Sequence, residues 1–143
     1  MSADPGFRDA DEFREVMDRL LRQFSTDPDL GPRLRAADLP SRFEVTDLEV
    51  VLHIRPSAPD EPDGHLRWSW DAVDWDPRVT WRMDSPVVNR FYQGRENVAV
   101  ALARRRIRMV GDRRAALALI PLIKPFFPRY RALLEDDYPH LVV

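Results

Sequence analysis

Four short segments alternate apolar and polar residues with a period of two, and no other feature limits the fold as much. In "LEVVLHIR", Leu48, Val50, Leu52 and Ile54 oppose Glu49, Val51, His53 and Arg55. The turn-rich stretch "PSAPDEPDG", residues 56–64, separates it from "HLRWSWD", which sets Leu66, Trp68 and Trp70 against His65, Arg67, Ser69 and Asp71. "RVTWRMD" places Val79, Trp81 and Met83 on one side, and "RRIRMVG" alternates Ile107 and Met109 with Arg106 and Arg108. Successive side chains of a strand point to opposite faces, so the pattern predicts an antiparallel sheet with one buried face.

Around these strands the apolar spacing changes to three and four. Phe13, Val16, Met17, Leu20, Leu21 and Phe24 predict an amphipathic helix that opens near Asp9 or Asp11 and ends before "STDPD". A short second helix is expected over "PDLGPRLRAADL", stopping before Pro40. Ser85 followed by Pro86 fits an N-cap with proline in the first turn, and Gly94 fits a C-terminal stop. Phe91 with Val87 or Val88 supplies the inward face of that helix. "NVAVALAR" suits either a short buried strand or a helix, and its alanines favour a buried helix beginning near Asn97. Gly111 and Asp112 turn the chain into a further helix through "RRAALALI". In "IPLIKPFFPRYRALLEDDY", Pro121, Pro125 and Pro128 interrupt a helical spacing kept by Ile123, Phe126, Phe127, Tyr130, Leu133 and Leu134. Proline breaks or kinks a helix interior, so a broken element is expected, regular from about Pro128 to Glu135, with its apolar surface on the sheet.

The stretch "ALARRRIRMVGDRR", residues 101–114, looks like a phosphate or nucleic-acid patch. The chain as a whole argues otherwise: its formal net charge is −2 and its pI about 5.9. Nucleic-acid binders rest on a strong excess of Lys and Arg, so this class is excluded. The arginines read as the solvated side of a half-buried strand, with contact to an anionic membrane surface as the competing use. With 143 residues, 44% of them apolar, the chain is expected to form one domain, residues 1–143. It contains no cysteine and three histidines, His53, His65 and His140, without paired spacing. No metal site and no cofactor are therefore expected. His53 and His65 read as surface histidines on the outer strand face. No GxSxG, glycine-rich phosphate loop or dinucleotide fingerprint occurs, and no catalytic acid–base pair stands out. The acidic start "MSADPGFRDADEF" lacks the apolar region of a signal peptide, and no apolar run spans a bilayer, which points to the cytoplasm.

The order of these elements resembles that of sterol carrier protein type-two domains, in their small stand-alone bacterial form. In that family a strand gives way to an aspartate-led helix, a Gly–basic step, an apolar helix and a strand closing on glycine. Here these fall on Asp84, Gly94–Arg95, the run from Asn97 to Ala103, and Ile107 to Gly111. "SRFEVTDLEVVLHI" resembles the family's first strand, and the leading helix fits. The resemblance implies an α+β fold: a mostly antiparallel five-stranded sheet covered on one face by helices, with an apolar tunnel between the layers. It also implies binding of lipids (sterols, fatty acids or fatty acyl-CoA) without chemistry. Trp81, Met83, Phe91, Leu102, Ile107, Met109, Leu117, Ile123, Phe126 and Phe127 are the positions then expected to line the tunnel, although each also reads as ordinary core. This sequence departs from the family in two places. Arg105 stands where a glycine is usual, which implies a reshaped turn or a left-handed arginine. Trp68, Trp70 and Trp81 on the inner face are bulky enough to fill the cavity. Three readings follow: a lipid carrier or sequestering protein, a module that presents a hydrophobic substrate to a partner enzyme, and a small enzyme with an apolar pocket.

Overall fold

Five strands and six α-helices make up the computed structural model, which describes residues 6–143. Residues 1–5, the beginning of the acidic N-terminal stretch, lie outside the described residues. The strands are β1 (Ser41–Val45), β2 (Val50–Pro56), β3 (Leu66–Ser69), β4 (Val79–Met83) and β5 (Ile107–Gly111). They form one sheet in the order β3-β2-β1-β4-β5. Every pairing is antiparallel except β1 with β4. A parallel pair needs a crossover. The chain makes it between β3 and β4, over the outer face, where Trp75 meets His53 edge-on at 6.5 Å and packs under the Arg55 guanidinium at 5.1 Å.

The register explains which side chains share a face. Val50, Val45, Met83 and Ile107 form one row on the inner face, and Leu52, Phe43, Trp81 and Met109 form the next. A third row runs from Trp68 through Ile54, Ser41 and Val79 to Gly111. It is the row with small residues, Ser41 at its centre and Gly111 at its end. Gly111 is required there: its φ is +106°, and a Cβ would sit 2.3 Å from the Arg78 carbonyl oxygen. The opposite face carries Arg42, Glu44, His53, Arg55, Arg67, Arg82 and Arg108, as the alternation predicts.

Helix α1 (Ala10–Thr26) opens on Asp9, whose carboxylate accepts the Glu12 N–H at 2.8 Å, and buries the predicted stripe from Phe13 to Phe24. Helix α2 (Leu30–Ala37) follows. Helix α3 (Ser85–Tyr92) is capped differently from expectation. Asp84 occupies the N-cap and Ser85 the first turn, while Asp47, from the β1–β2 turn, accepts both the Ser85 N–H at 2.8 Å and its hydroxyl at 2.6 Å. A distant carboxylate thus replaces a local cap. Helix α4 (Val98–Ala103) starts from Asn97 as expected, but it is not buried. Ala101 alone is enclosed and Val100 is 40% exposed, because six residues at the rim of the sheet present one position inward. Arg105 does adopt the left-handed conformation, with φ +61°.

Helix α5 (Arg113–Ile123) is capped by Asp112 and runs through Pro121. A 3₁₀ turn at Lys124–Phe126 then breaks the path before α6 (Phe127–Asp137). The segment breaks at Pro125 alone, since Pro121 stays inside α5 and Pro128 sits in the first turn of α6, which begins one residue earlier than predicted. Tyr130 of α6 donates to Asn89 of α3 at 2.9 Å, and Asn89 and Gln93 both donate to the Leu141 carbonyl, at 2.8 and 2.9 Å. This buried network fixes α6 and the C-terminal tail on α3.

Two further expectations change. His65 is not a plain surface side chain; its ring packs on α2, where a Cβ at Gly31 would lie 2.5 Å from it. Trp68 and Trp70 pack against the core under α1 and leave the space under α5 open. Both indole N–H groups donate to Asp18 of α1 at 2.9 Å, which holds the rings beneath that helix.

Candidate functional site

Between the inner face of the sheet and α5 lies an apolar slot. Its floor is Ser41, Phe43, Trp81, Met83 and Ile107, and its roof is Ala116, Leu119, Ile120 and Ile123 from α5. Val88, Phe91 and Tyr92 of α3 form the side wall. The slot exists because α5 brings only Ala116, a small residue, fully inward, while Ser41 leaves a low point in the floor. The Trp81 ring lies flat against Phe43, with centroids 6.0 Å apart and planes within 10°, so it paves the floor instead of blocking it.

The room is narrow, about 80 Å³. A second slot of about 70 Å³ adjoins it toward α1 and α2 and shares Ser41, Phe43, Tyr92, Leu119 and Ile123. On the other side, Phe91 and Ile120 separate the first slot from a surface groove bordered by Gly94, Val98, Lys124 and Phe127. No charged residue lines the first slot. Its polar atoms belong to Ser41, Trp81 and Tyr92. The Ser41 hydroxyl donates to the Leu39 carbonyl at 2.9 Å, whereas the Tyr92 hydroxyl has no hydrogen-bond partner among the described residues. Burial pushes the Tyr92 phenol up to about 12, so it is neutral and can donate one hydrogen bond within the slot. Tyr130 behind it is shifted in the same direction by burial. No group of His, Asp or Glu suited to hold a metal occurs among the described residues.

Five of the expected lining residues meet in the slot: Trp81, Met83, Phe91, Ile107 and Ile123. The other five do not. Met109, next to Trp81 in the same row, is buried at 2% exposure outside the slot's lining, and Phe126 packs edge-on against Phe24 at 5.1 Å. Leu102 is half-buried against the core near the rim. Leu117 is 40% exposed, one position out of phase with the inward residues of α5. Phe127 borders the outer groove, edge-on to Phe91 at 5.4 Å. The residues missed by sequence reasoning carried a signal. Ala116 and Ile120 stand four apart, Leu119 stands four before the expected Ile123, and Val88 and Tyr92 keep a spacing of four, each marking one helix face.

No protein-family model and no curated protein sequence matches the chain. Solved structures do. The sterol carrier protein domain 2 of Helicoverpa armigera aligns with a TM-score of 0.60 at 17% identity, over 90% of this chain and 97% of that one. UbiJ-SCP2, a ubiquinone synthesis protein, aligns with a TM-score of 0.56 at 14% identity, over 82% of this chain and 95% of that one. The fold is that of the sterol carrier protein type-two domains. A stereoselective inverting sec-alkylsulfatase from Pseudomonas sp. aligns with a TM-score of 0.51 at 14% identity, over 61% of this chain. This chain spans only 13% of the sulfatase's length.

Proposed function

We propose that the protein binds a lipid by one aliphatic chain in the slot between the sheet and α5, without chemical change, as a carrier or sequestering protein of the cytoplasm. The observation that carries this reading is the slot's lining: twelve residues from five elements of the fold, with no charge among them. The likeness in fold to sterol carrier protein domains supports it. The narrowness favours a fatty acid or acyl chain over fused sterol rings, for which α5 has to move outward. Burying about 300 Å² of hydrocarbon at ~25 cal/mol per Å² contributes roughly 7 kcal/mol. Loss of the ligand's free motion offsets part of this and leaves affinity in roughly the micromolar range, which permits release.

A second reading, a module that presents a hydrophobic substrate to a partner enzyme, draws support from the sulfatase, where the same fold is part of a longer chain. Delipidated protein titrated with a fluorescent fatty acid tests the first reading. Saturable one-to-one uptake, displaced by palmitate more readily than by cholesterol, is expected. Absence of uptake for every long-chain amphiphile contradicts it, and a lipid-free protein that co-purifies with an enzyme favours the second.

A further inference from the structure

We propose that a second site, an arginine-lined cleft at the α3 end of the sheet, binds a phosphate-type oxyanion. The cleft, about 590 Å³, lies between the outer side of β4 and β5, the start of α3 and the turn before β5. Arg82 of β4 and Arg108 of β5 stand directly opposite each other in the ladder. Like charges so placed disfavour a sheet unless an anion lies between them. Arg105 lines the same cleft from its left-handed turn, and Arg106 lines it from the next position.

The carboxylates nearby are largely committed. Glu96 lies 3.3 Å from Arg106 and 3.4 Å from Arg90. Glu44, the register neighbour of Arg82 on β1, pairs with Arg42 at 3.0 Å. Asp84 lines the cleft and accepts the Thr46 hydroxyl. Arg82, Arg105 and Arg108 have no carboxylate at ion-pair distance among the described residues. A chain of net charge −2 thus concentrates unpaired guanidinium groups at one concave place. Guanidinium forks match the paired oxygens of a phosphate, which makes a phosphate monoester or diphosphate the fitting ligand class. Met83 borders both the cleft and the chain-binding slot, but the guanidinium groups of Arg82, Arg105 and Arg108 line the cleft alone, so the anion site does not rest on the slot.

Calorimetric titration with pyrophosphate in physiological salt tests the proposal. Saturable binding is expected, weakened about tenfold or more by Arg82→Gln with Arg108→Gln, the loss of one or two charge-assisted contacts. Arg22→Gln with Arg114→Gln removes equal charge outside the cleft and is expected to weaken it less than about twofold, as screened distant charges do. Arg105→Gly relieves the left-handed strain, so it folds at least as well, and still lowers affinity. Flotation with phosphatidic acid vesicles, reversed by pyrophosphate, identifies a lipid headgroup as the source, whereas pyrophosphate binding without flotation identifies a soluble phosphate ester. Both support the cleft. No saturable binding, or equal loss in the two double variants, overturns it. Fatty-acid uptake measured on the same variants stays unchanged, so failure here is separable from failure of the slot.

Discussion

Helix α1 seats seven of its seventeen side chains in the core, whereas α5, with eleven residues, seats one, Ala116. Both helices cover the same face of one sheet. Beneath the first half of α1 the space is filled: Trp70 packs edge-on to Phe13 at 6.0 Å, and Asp18 ties down both nearby indoles, while the adjoining slot begins only at Leu21 and Phe24. Beneath α5 the slot remains, floored by a flat Trp81 and roofed by branched aliphatic residues. The contrast teaches that one sheet can divide its labour. One end is filled by side chains and carries stability, and the other is left loose enough to admit a chain.

The sharpest way to break this comparison is a pair of truncations. Leu20→Ala in α1 is expected to cost about 2–5 kcal/mol, since Leu20 is fully buried and leaves a cavity. Leu119→Ala in α5 is expected to cost under about 1 kcal/mol, because it only enlarges an existing gap. Urea denaturation of the two variants checks both, and equal losses contradict the division. Next in size is Ile120→Trp, which fills the slot from its roof. It is expected to weaken fatty-acid uptake about tenfold or more, roughly 1.4 kcal/mol, while leaving the melting temperature near that of the parent. Comparable in size is Asp18→Ala, which strands two indole donors under α1 at a cost of about 1–2 kcal/mol and leaves uptake unaffected.

The smallest effect lies in the turn before β3. Glu61 accepts two bonds from Arg55, at 2.6 and 3.0 Å, and its carboxyl is held down to about 2 by Arg55 first and the Ala58 N–H second. Because the folded state lowers this pKa from 4.5, the stabilisation is present above that value and fades as pH falls from about 4.5 toward 2. Thermal melts across that window are expected to slope less steeply in Glu61→Gln. An identical slope removes Glu61 from the acid sensitivity.

How far these differences were legible in the sequence follows from what each residue reports. Strand alternation reports faces directly, so β2, β4 and β5 and their inward residues could be read, as could α1 from its wide apolar stripe. Periodicity does not report how closely a helix approaches its sheet. The alanine and valine run of α4 and the leucines of α5 look like buried helices, yet Val100 and Leu117 are each 40% exposed. Nor does a tryptophan at an inward position reveal whether it plugs or paves. Asp18, 50 residues from Trp68, decides that for two rings and Phe43 for the third. The β1 strand was legible only through the family resemblance, because "SRFEV" offers too few alternations.

The most direct measurement uses the four isoleucines, Ile54, Ile107, Ile120 and Ile123. Ile107, Ile120 and Ile123 line the first slot, while Ile54 lines the adjoining one. In a methyl NMR spectrum of the delipidated protein titrated with palmitate, the three slot methyls are expected to shift together and saturate at one equivalent. The methyls of Val16 and Leu20 under α1 are expected to stay in place. Shifts confined to surface methyls such as Val110, or no saturable shift of the isoleucines at all, contradict a chain-binding slot.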